Sequence, residues 1–418
     1  MTFVRSGVLA WRRWSRQALE DRDRKHDRQE ILMLIVAAAF ISTNAVAFSL
    51  VRDSAVLWSH LYYVAIWLSM LLLAHLVLRA FRPGRSPFFL PVFALAAGWG
   101  LVLQDRLAPN FLARQTLWFT LATLAMLGVA VLPRTLQPLY RYRYLLLVGG
   151  LILLAFTLAF GVNPSGSGAA LWLPMPFPFL GLVYFQPSEL LKLLLVIFLA
   201  SYFTDQEPLY RYRREEAQKR PAGRPAWRDA VSRHLPFLGP LFLMWGLTLV
   251  LLVWQQDLGA AALFFIVFVA MLYLATGNLA YVFSGLFLLI LATVAAYYIF
   301  DTVVAVRILS WLNPWPNVAD RAFQIVQALY AQAAGGVLGQ GIGQGFPDYI
   351  PVVHSDFAMA AVAEEWGLAG SLTLVTLFVV LAIKGLTTAL NEIRSDRPRY
   401  FHAYLAAGLV TLFSVQAL

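Results

Sequence analysis

Eleven apolar stretches, most of about 20 residues, fill this 418-residue chain, and nearly all of its positive charge sits in every second gap between them. They cover 31–51, 58–78, 88–104, 113–132, 144–162 and 186–203, then 235–254, 257–275, 279–299, 356–383 and 400–418. A bilayer core takes about 20 apolar residues per helix, and a helix satisfies all its backbone polar groups within one segment. The chain is therefore expected to be all-α, a polytopic integral membrane helical bundle. Composition agrees, at 60% hydrophobic and 13% charged.

The gaps at 1–30, 79–87, 133–143, 204–234 and 384–399 hold 26 of the 32 Lys and Arg. Basic loops stay on the cytoplasmic side, so the N-terminus is expected there, with an odd number of spans leaving the C-terminus outside. The net charge of +10 then needs no nucleic-acid partner, because basic loops face an anionic leaflet of membrane lipid. No cleavable signal peptide is apparent, since the first long apolar run starts at Ile31 behind a charged tail. The chain has no cysteine, which excludes disulfides and thiolate metal sites, and its six His are scattered, which argues against a His-based zinc site.

Two segments on the expected outer side are long: 163–185, rich in Pro and Gly, and 300–355, which carries Trp311, Trp315 and a glycine cluster. Chemistry tends to sit on such loops when a rigid scaffold holds them. Gln186-Pro187-Ser188-Glu189 opens the sixth span and Lys192 follows, which reads either as a helix start with an i,i+3 ion pair or as a functional pair entering the membrane. Asp257, in Gln255-Gln256-Asp257-Leu258-Gly259, stands where one span leaves and the next begins. It reads as a helix cap or as a reactive carboxylate that converges with Glu189 and Lys192. His354 and Asp356 begin the tenth span, and Glu364 and Glu365 lie about 12 Å deeper at 1.5 Å per residue, where acids must face inward. Gly335 to Gly345 lacks the Lys-Ser/Thr of a phosphate loop and is expected to be an irregular glycine-permitted segment whose amides remain available to a phosphate.

Tyr184-Phe185-Gln186-Pro187-Ser188-Glu189-Leu190-Leu191-Lys192, Gln256-Asp257-Leu258-Gly259, Trp311-Leu312-Asn313-Pro314-Trp315, Phe323-Gln324-Ile325-Val326-Gln327, the glycine cluster, Pro351 to Phe357 and Ala363-Glu364-Glu365-Trp366-Gly367 follow one another in order. In that series the chain resembles the RodA/FtsW family of shape, elongation, division and sporulation (SEDS) proteins over about 88–418. The resemblance implies a ten-helix membrane fold. It also implies a lipid II glycosyltransferase that polymerises glycan strands in the bacterial cytoplasmic membrane, beside a class B penicillin-binding transpeptidase. On this reading 1–87 is a basic tail plus two extra N-terminal spans, and 88–418 is the catalytic membrane domain. Three departures stand out. The family's common Pro before the motif aspartate is Gln256, and its Tyr-Gln pair is Phe323-Gln324; a usual Arg is missing from Gly168-Ala169-Ala170-Leu171-Trp172-Leu173; and the chain stops at Gln416-Ala417-Leu418 where the family continues into a last helix, so a fragment is expected.

The resemblance implies an undecaprenyl pyrophosphate-linked glycan as donor and the GlcNAc 4-hydroxyl of lipid II as acceptor, with Asp257 the catalytic base. Gln186, Glu189, Lys192, Arg307, Arg321, His354, Asp356, Glu364 and Glu365 are the supporting or substrate-binding candidates. A divalent cation, Mg or Mn, is a candidate cofactor at the leaving pyrophosphate. The rival readings are a lipid II flippase and a non-catalytic scaffold for the transpeptidase.

The charge asymmetry makes a direct expectation, and the lack of native Cys gives it a clean background. Ser165→Cys and Asp348→Cys should react with an impermeant thiol reagent in cells whose outer barrier is permeabilised, while Gln218→Cys should not. Labelling of Gln218→Cys alone would reverse the orientation.

Overall fold

The structure, a computed structural model, describes residues 2–132, 136–164, 169–177, 181–218, 245–300, 304–395 and 398–417. Ser165, Gly168, Asp301 and much of the basic 204–234 loop and of the 235–254 span therefore lie outside the described residues. Among those described, eight helices are long and apolar enough to cross a membrane. They fall on the expected stretches with ends moved by several residues. The stretch 88–104 becomes α3, Phe89–Leu107, and 400–418 becomes α15, Tyr400–Gln416; neither is among the eight.

The chain divides into two compact units. The first comprises Met1–Pro133 and Phe300–Leu381. Its long helices are α1 (Thr2–Asp53), α2 (Tyr62–Phe81), α3 and α4 (Pro109–Val131), with Pro109 in the first turn of α4, where a missing N–H costs nothing. Ala37, Ile41 and Ala45 recur at helical spacing on α1 and are buried together with Tyr63, Trp67 and Leu71 of α2. Lipid tails are as apolar as leucine, so packing detail rather than water exclusion holds such helices together. Trp67 shows this: its ring lies where a Cβ on Gly98 would be 2.8 Å away, and its Nε1 donates to Ala94 O at 3.1 Å.

Charges buried in this unit are paired. Glu30 on α1, 1% exposed, accepts from Arg85 Nε at 2.9 Å and Nη2 at 2.7 Å, with His75 Nδ1 of α2 at 2.7 Å from the same carboxylate. His60 lies between two carboxylates, its Nε2 2.9 Å from Asp53 and its Nδ1 2.8 Å from Asp105 at the end of α3. These contacts tie α1, α2 and α3 at separate levels.

The expected long loop 300–355 is largely ordered into α11 (Val306–Leu312), α12 (Phe323–Gly335), short 3-10 turns and α13 (Val353–Asp356). Its glycine cluster corrects the sequence expectation. The amides of Gly339, Gln340 and Gly341 donate to the carbonyls of Gly335, Glu364 and Glu365, so they are committed to backbone and not held out for a phosphate. Gly335 ends α12, whereas Glu364 and Glu365 lie in α14 (Ala358–Ile393), which breaks at Gly367 (φ 68, ψ −164). Glycine is required there and at Gly339, because both have positive φ and a Cβ would fall 2.3 Å from Gly339 N and 2.2 Å from Glu365 O respectively.

The second unit comprises Arg134–Ile299 and Ala382–Leu418. It holds α5 (Gln137–Arg141), α6 (Arg143–Phe160), α7 (Pro187–Gln218), α8 (described over Trp245–Trp254), α9 (Leu258–Thr276), α10 (Leu279–Ile299), the end of α14, and α15. A core of Leu147, Leu195, Leu199, Phe264, Met271 and Leu405 joins α6, α7, α9 and α15. The Pro-rich stretch after α6 contains an unexpected antiparallel hairpin, β1 (Leu173–Phe177) with β2 (Gly181–Phe185). Pro174 and Pro176 fit β1 because alternate N–H groups of a two-stranded pair point away from the partner.

Candidate active site

α7 starts at Pro187 and brings Glu189 into its first turn, where a carboxylate meets the positive end of the helix. Lys192 follows one turn later. Its ammonium is buried, with the side chain 8% exposed, and is 2.7 Å from Glu189 Oε1, whose side chain is half exposed. The i,i+3 ion pair expected from the sequence is thus formed.

Asp257 is placed by two helix ends at once. Asp257 N donates to Leu252 O at 3.0 Å and Gln256 N to Val253 O at 3.0 Å, the paired bonds of a Schellman stop to α8. Gln256 occupies the left-handed position that this stop requires, at φ 59. One residue on, Asp257 is the N-cap of α9, with Oδ1 accepting from Ala260 N at 3.1 Å. Its other oxygen, Oδ2, lies 3.5 Å from the Ser188 hydroxyl, which itself accepts from Gln186 Nε2 at 3.0 Å.

The structure therefore brings together Gln186, Ser188 and Asp257, with Glu189 and Lys192 alongside on α7. One carboxylate oxygen of Asp257 is engaged by the cap, and the other borders a hydroxyl that can receive or pass a proton. Ser188 was part of the recognised motif, yet nothing in the sequence singled it out from its neighbours.

The other candidates belong to the first unit. Glu364 and Glu365 are buried, as their depth required: Glu364 Oε1 accepts from Phe346 N at 2.7 Å, and Glu365 Oε1 from Arg106 Nε at 2.9 Å. Arg106 also bonds Asp348 at 3.0 Å and Gly345 O at 3.0 Å. Its signal in the sequence was its place at the end of an apolar span, where a cation must find an acid. His354 packs on Phe111, ring centroids 5.7 Å apart, and Asp356 is exposed and accepts from Ser355 Oγ at 3.1 Å. Arg307 on α11 and Arg321 are both exposed, and Arg321 Nε is 3.8 Å from Asp320. Among the described residues no group of three or more His, Asp or Glu is placed to hold a metal ion.

The FtsW/RodA/SpoVE profile of cell cycle proteins matches residues 89–418. The chain belongs to this family. Relatives named peptidoglycan glycosyltransferase RodA, from Mycobacterium tuberculosis and Mycobacterium leprae, are each 32% identical to it, covering 93% of this chain and 80% and 81% of their own lengths. Those matches exceed the span of the family profile, so they reach into the α1–α2 segment. A probable peptidoglycan glycosyltransferase FtsW from Geobacter sulfurreducens is 30% identical over 73% of this chain and 74% of its own. Among solved structures, a chain of a peptidoglycan synthase complex is 25% identical with a TM-score of 0.46, covering 84% of this chain and 82% of that one. The Thermus thermophilus rod shape determining protein RodA is 22% identical with a TM-score of 0.36, covering 84% and 81%.

Within this FtsW/RodA/SpoVE member, the turn before Asp257 makes a specific expectation. A non-glycine residue in the left-handed region costs about 1–2 kcal/mol. Gln256→Gly should therefore match or exceed the parent in thermal unfolding. Gln256→Pro should unfold at lower temperature, because Pro cannot reach positive φ and lacks the N–H given to Val253 O. A Gln256→Pro protein as stable as the parent would contradict the turn described.

Proposed function

We propose that this chain is a peptidoglycan glycosyltransferase that polymerises glycan strands from lipid II, with Asp257 as its general base. The observation that carries the reading is the setting of Asp257: one oxygen spent on the helix cap, the other beside Ser188, in the unit that also holds the buried Lys192. The 4-hydroxyl of the acceptor GlcNAc must lose its proton as its oxygen bonds to the donor's anomeric carbon. A carboxylate within hydrogen-bond reach takes that proton and contributes about 10²- to 10⁴-fold in rate. The bond from the anomeric carbon to the pyrophosphate breaks in the same displacement, and a single inversion turns an α-linked donor into a β-linked strand.

Negative charge gathers on the departing pyrophosphate, and the Lys192 ammonium is the cation placed to offset it. Glu189 orients that ammonium. Glu189 is half exposed, so water screens its side of the pair, whereas Lys192 contributes the buried charge itself. The catalytic face is extracytoplasmic on this reading, which the basic loops support, and a class B penicillin-binding transpeptidase is the partner that would cross-link the strands. A divalent cation at the pyrophosphate would add Lewis-acid stabilisation.

Purified protein incubated with labelled lipid II, with and without a cognate transpeptidase, tests the reading. The expected product is lengthened glycan, with Glu189→Gln and Lys192→Met each at least tenfold slower and unfolding near the parent's temperature. Equilibration of lipid II between leaflets without polymer would mark a flippase instead, and neither product would mark a scaffold.

A further inference from the structure

The α8–α9 junction, Gln255 to Asp257, is a three-residue link between helices, and Schellman and cap bonds fix its local shape but not its place against the rest of the unit. That place is set by its first residue. Gln255 is buried, and its Nε2 donates to Leu154 O at 2.7 Å and to Thr157 Oγ1 at 2.8 Å, both on α6. A backbone carbonyl can only accept, so the amide nitrogen must be the end that faces α6. The Thr157 hydroxyl in turn donates to Leu154 O, which orients its lone pair toward Gln255.

The same α6 supports α7. A Cβ on Gly150 would lie 2.8 Å from Leu194 and 2.9 Å from Leu191, so α7 rests directly on the α6 backbone there. Leu191 is fully buried and sits between Glu189 and Lys192 in sequence. Thus α6 is the common reference for both halves of the site: α7 is seated on Gly150, and the Asp257 turn is tied to Leu154 and Thr157. A reacting group displaced by about 1 Å can cost about 10²-fold in rate.

We propose that Gln255 is a positioning residue for the glycosyl transfer, its carboxamide clamping the Asp257 turn to α6 and so registering the carboxylate against Ser188 and Lys192. The proposal rests on the reading of Asp257 as the base. Gln255 touches neither substrate nor the reacting atoms; it acts through the turn.

The test is steady-state polymerisation of labelled lipid II by the purified full chain, with kcat and KM separated and thermal unfolding measured in parallel. Gln255→Met keeps the side chain's length and removes the donor; it should lower kcat at least tenfold with KM within about twofold of the parent. Thr157→Val should give a smaller selective fall in kcat, and Thr157→Ser, which keeps the hydroxyl, should restore parental turnover. Parental kcat in Gln255→Met overturns the clamp, as does a loss explained wholly by a smaller folded fraction. If Gln255→Met does not fold, Thr157→Val decides by the same criterion. Asp257→Asn run alongside separates two failures: parental turnover there overturns the base assignment and the clamp with it, whereas its loss beside parental Gln255→Met overturns the clamp alone.

Discussion

A charge inside a membrane span must find a partner, and this requirement organises more of the chain than any apolar contact does. The isolated charge is costly in lipid, and removing one member of a buried pair typically costs about 3–5 kcal/mol. In the first unit such contacts join segments that the chain keeps far apart. Glu30 on α1 holds Arg85 beyond α2, His60 bridges Asp53 and Asp105, and Arg106 on α3 reaches Asp348 and Glu365. Apolar helices in lipid can slide and rotate with little change in burial, so these bonds supply the register that hydrophobicity does not.

In the second unit the same logic produces a site. Lys192 is tolerated in a buried position because Glu189 sits one turn before it, and Asp257 is held by roles that are structural in themselves, stop of one helix and cap of the next. The left-handed Gln256 is the strained element of this arrangement, kept in place by two backbone bonds and by the Gln255 clamp beside it. Local strain of this kind persists only where the surroundings over-determine it. A carboxylate fixed this way pays no reorganisation when the acceptor arrives.

The helical class and the places of most spans were legible in the sequence because hydropathy at a period of one bilayer width is a strong signal. The ion pair of Glu189 with Lys192 and the burial of Glu364 and Glu365 were legible too, from helical spacing and depth. The hairpin at 173–185 was not: its prolines read as loop, and only strand register shows that their missing N–H groups face away from the partner. Nor was the commitment of the Gln340 and Gly341 amides to the Glu364 and Glu365 carbonyls, a contact between segments over 20 residues apart that leaves no periodic trace. Gln255 was hidden for a similar reason. Its partners Leu154 and Thr157 lie about a hundred positions earlier, and a glutamine at a helix end carries no mark of what it will bond.

The central claim is that Asp257 takes the acceptor's proton, and the most direct measurement is lipid II polymerisation by Asp257→Asn with lipid II binding and thermal unfolding measured on the same preparation. Asparagine keeps the side chain's shape and its capping ability while removing the base. The account predicts a folded protein that binds lipid II yet polymerises it about 10²- to 10⁴-fold more slowly, equivalent to about 3–5 kcal/mol of transition-state stabilisation. Polymerisation by Asp257→Asn at the parent's rate would contradict it.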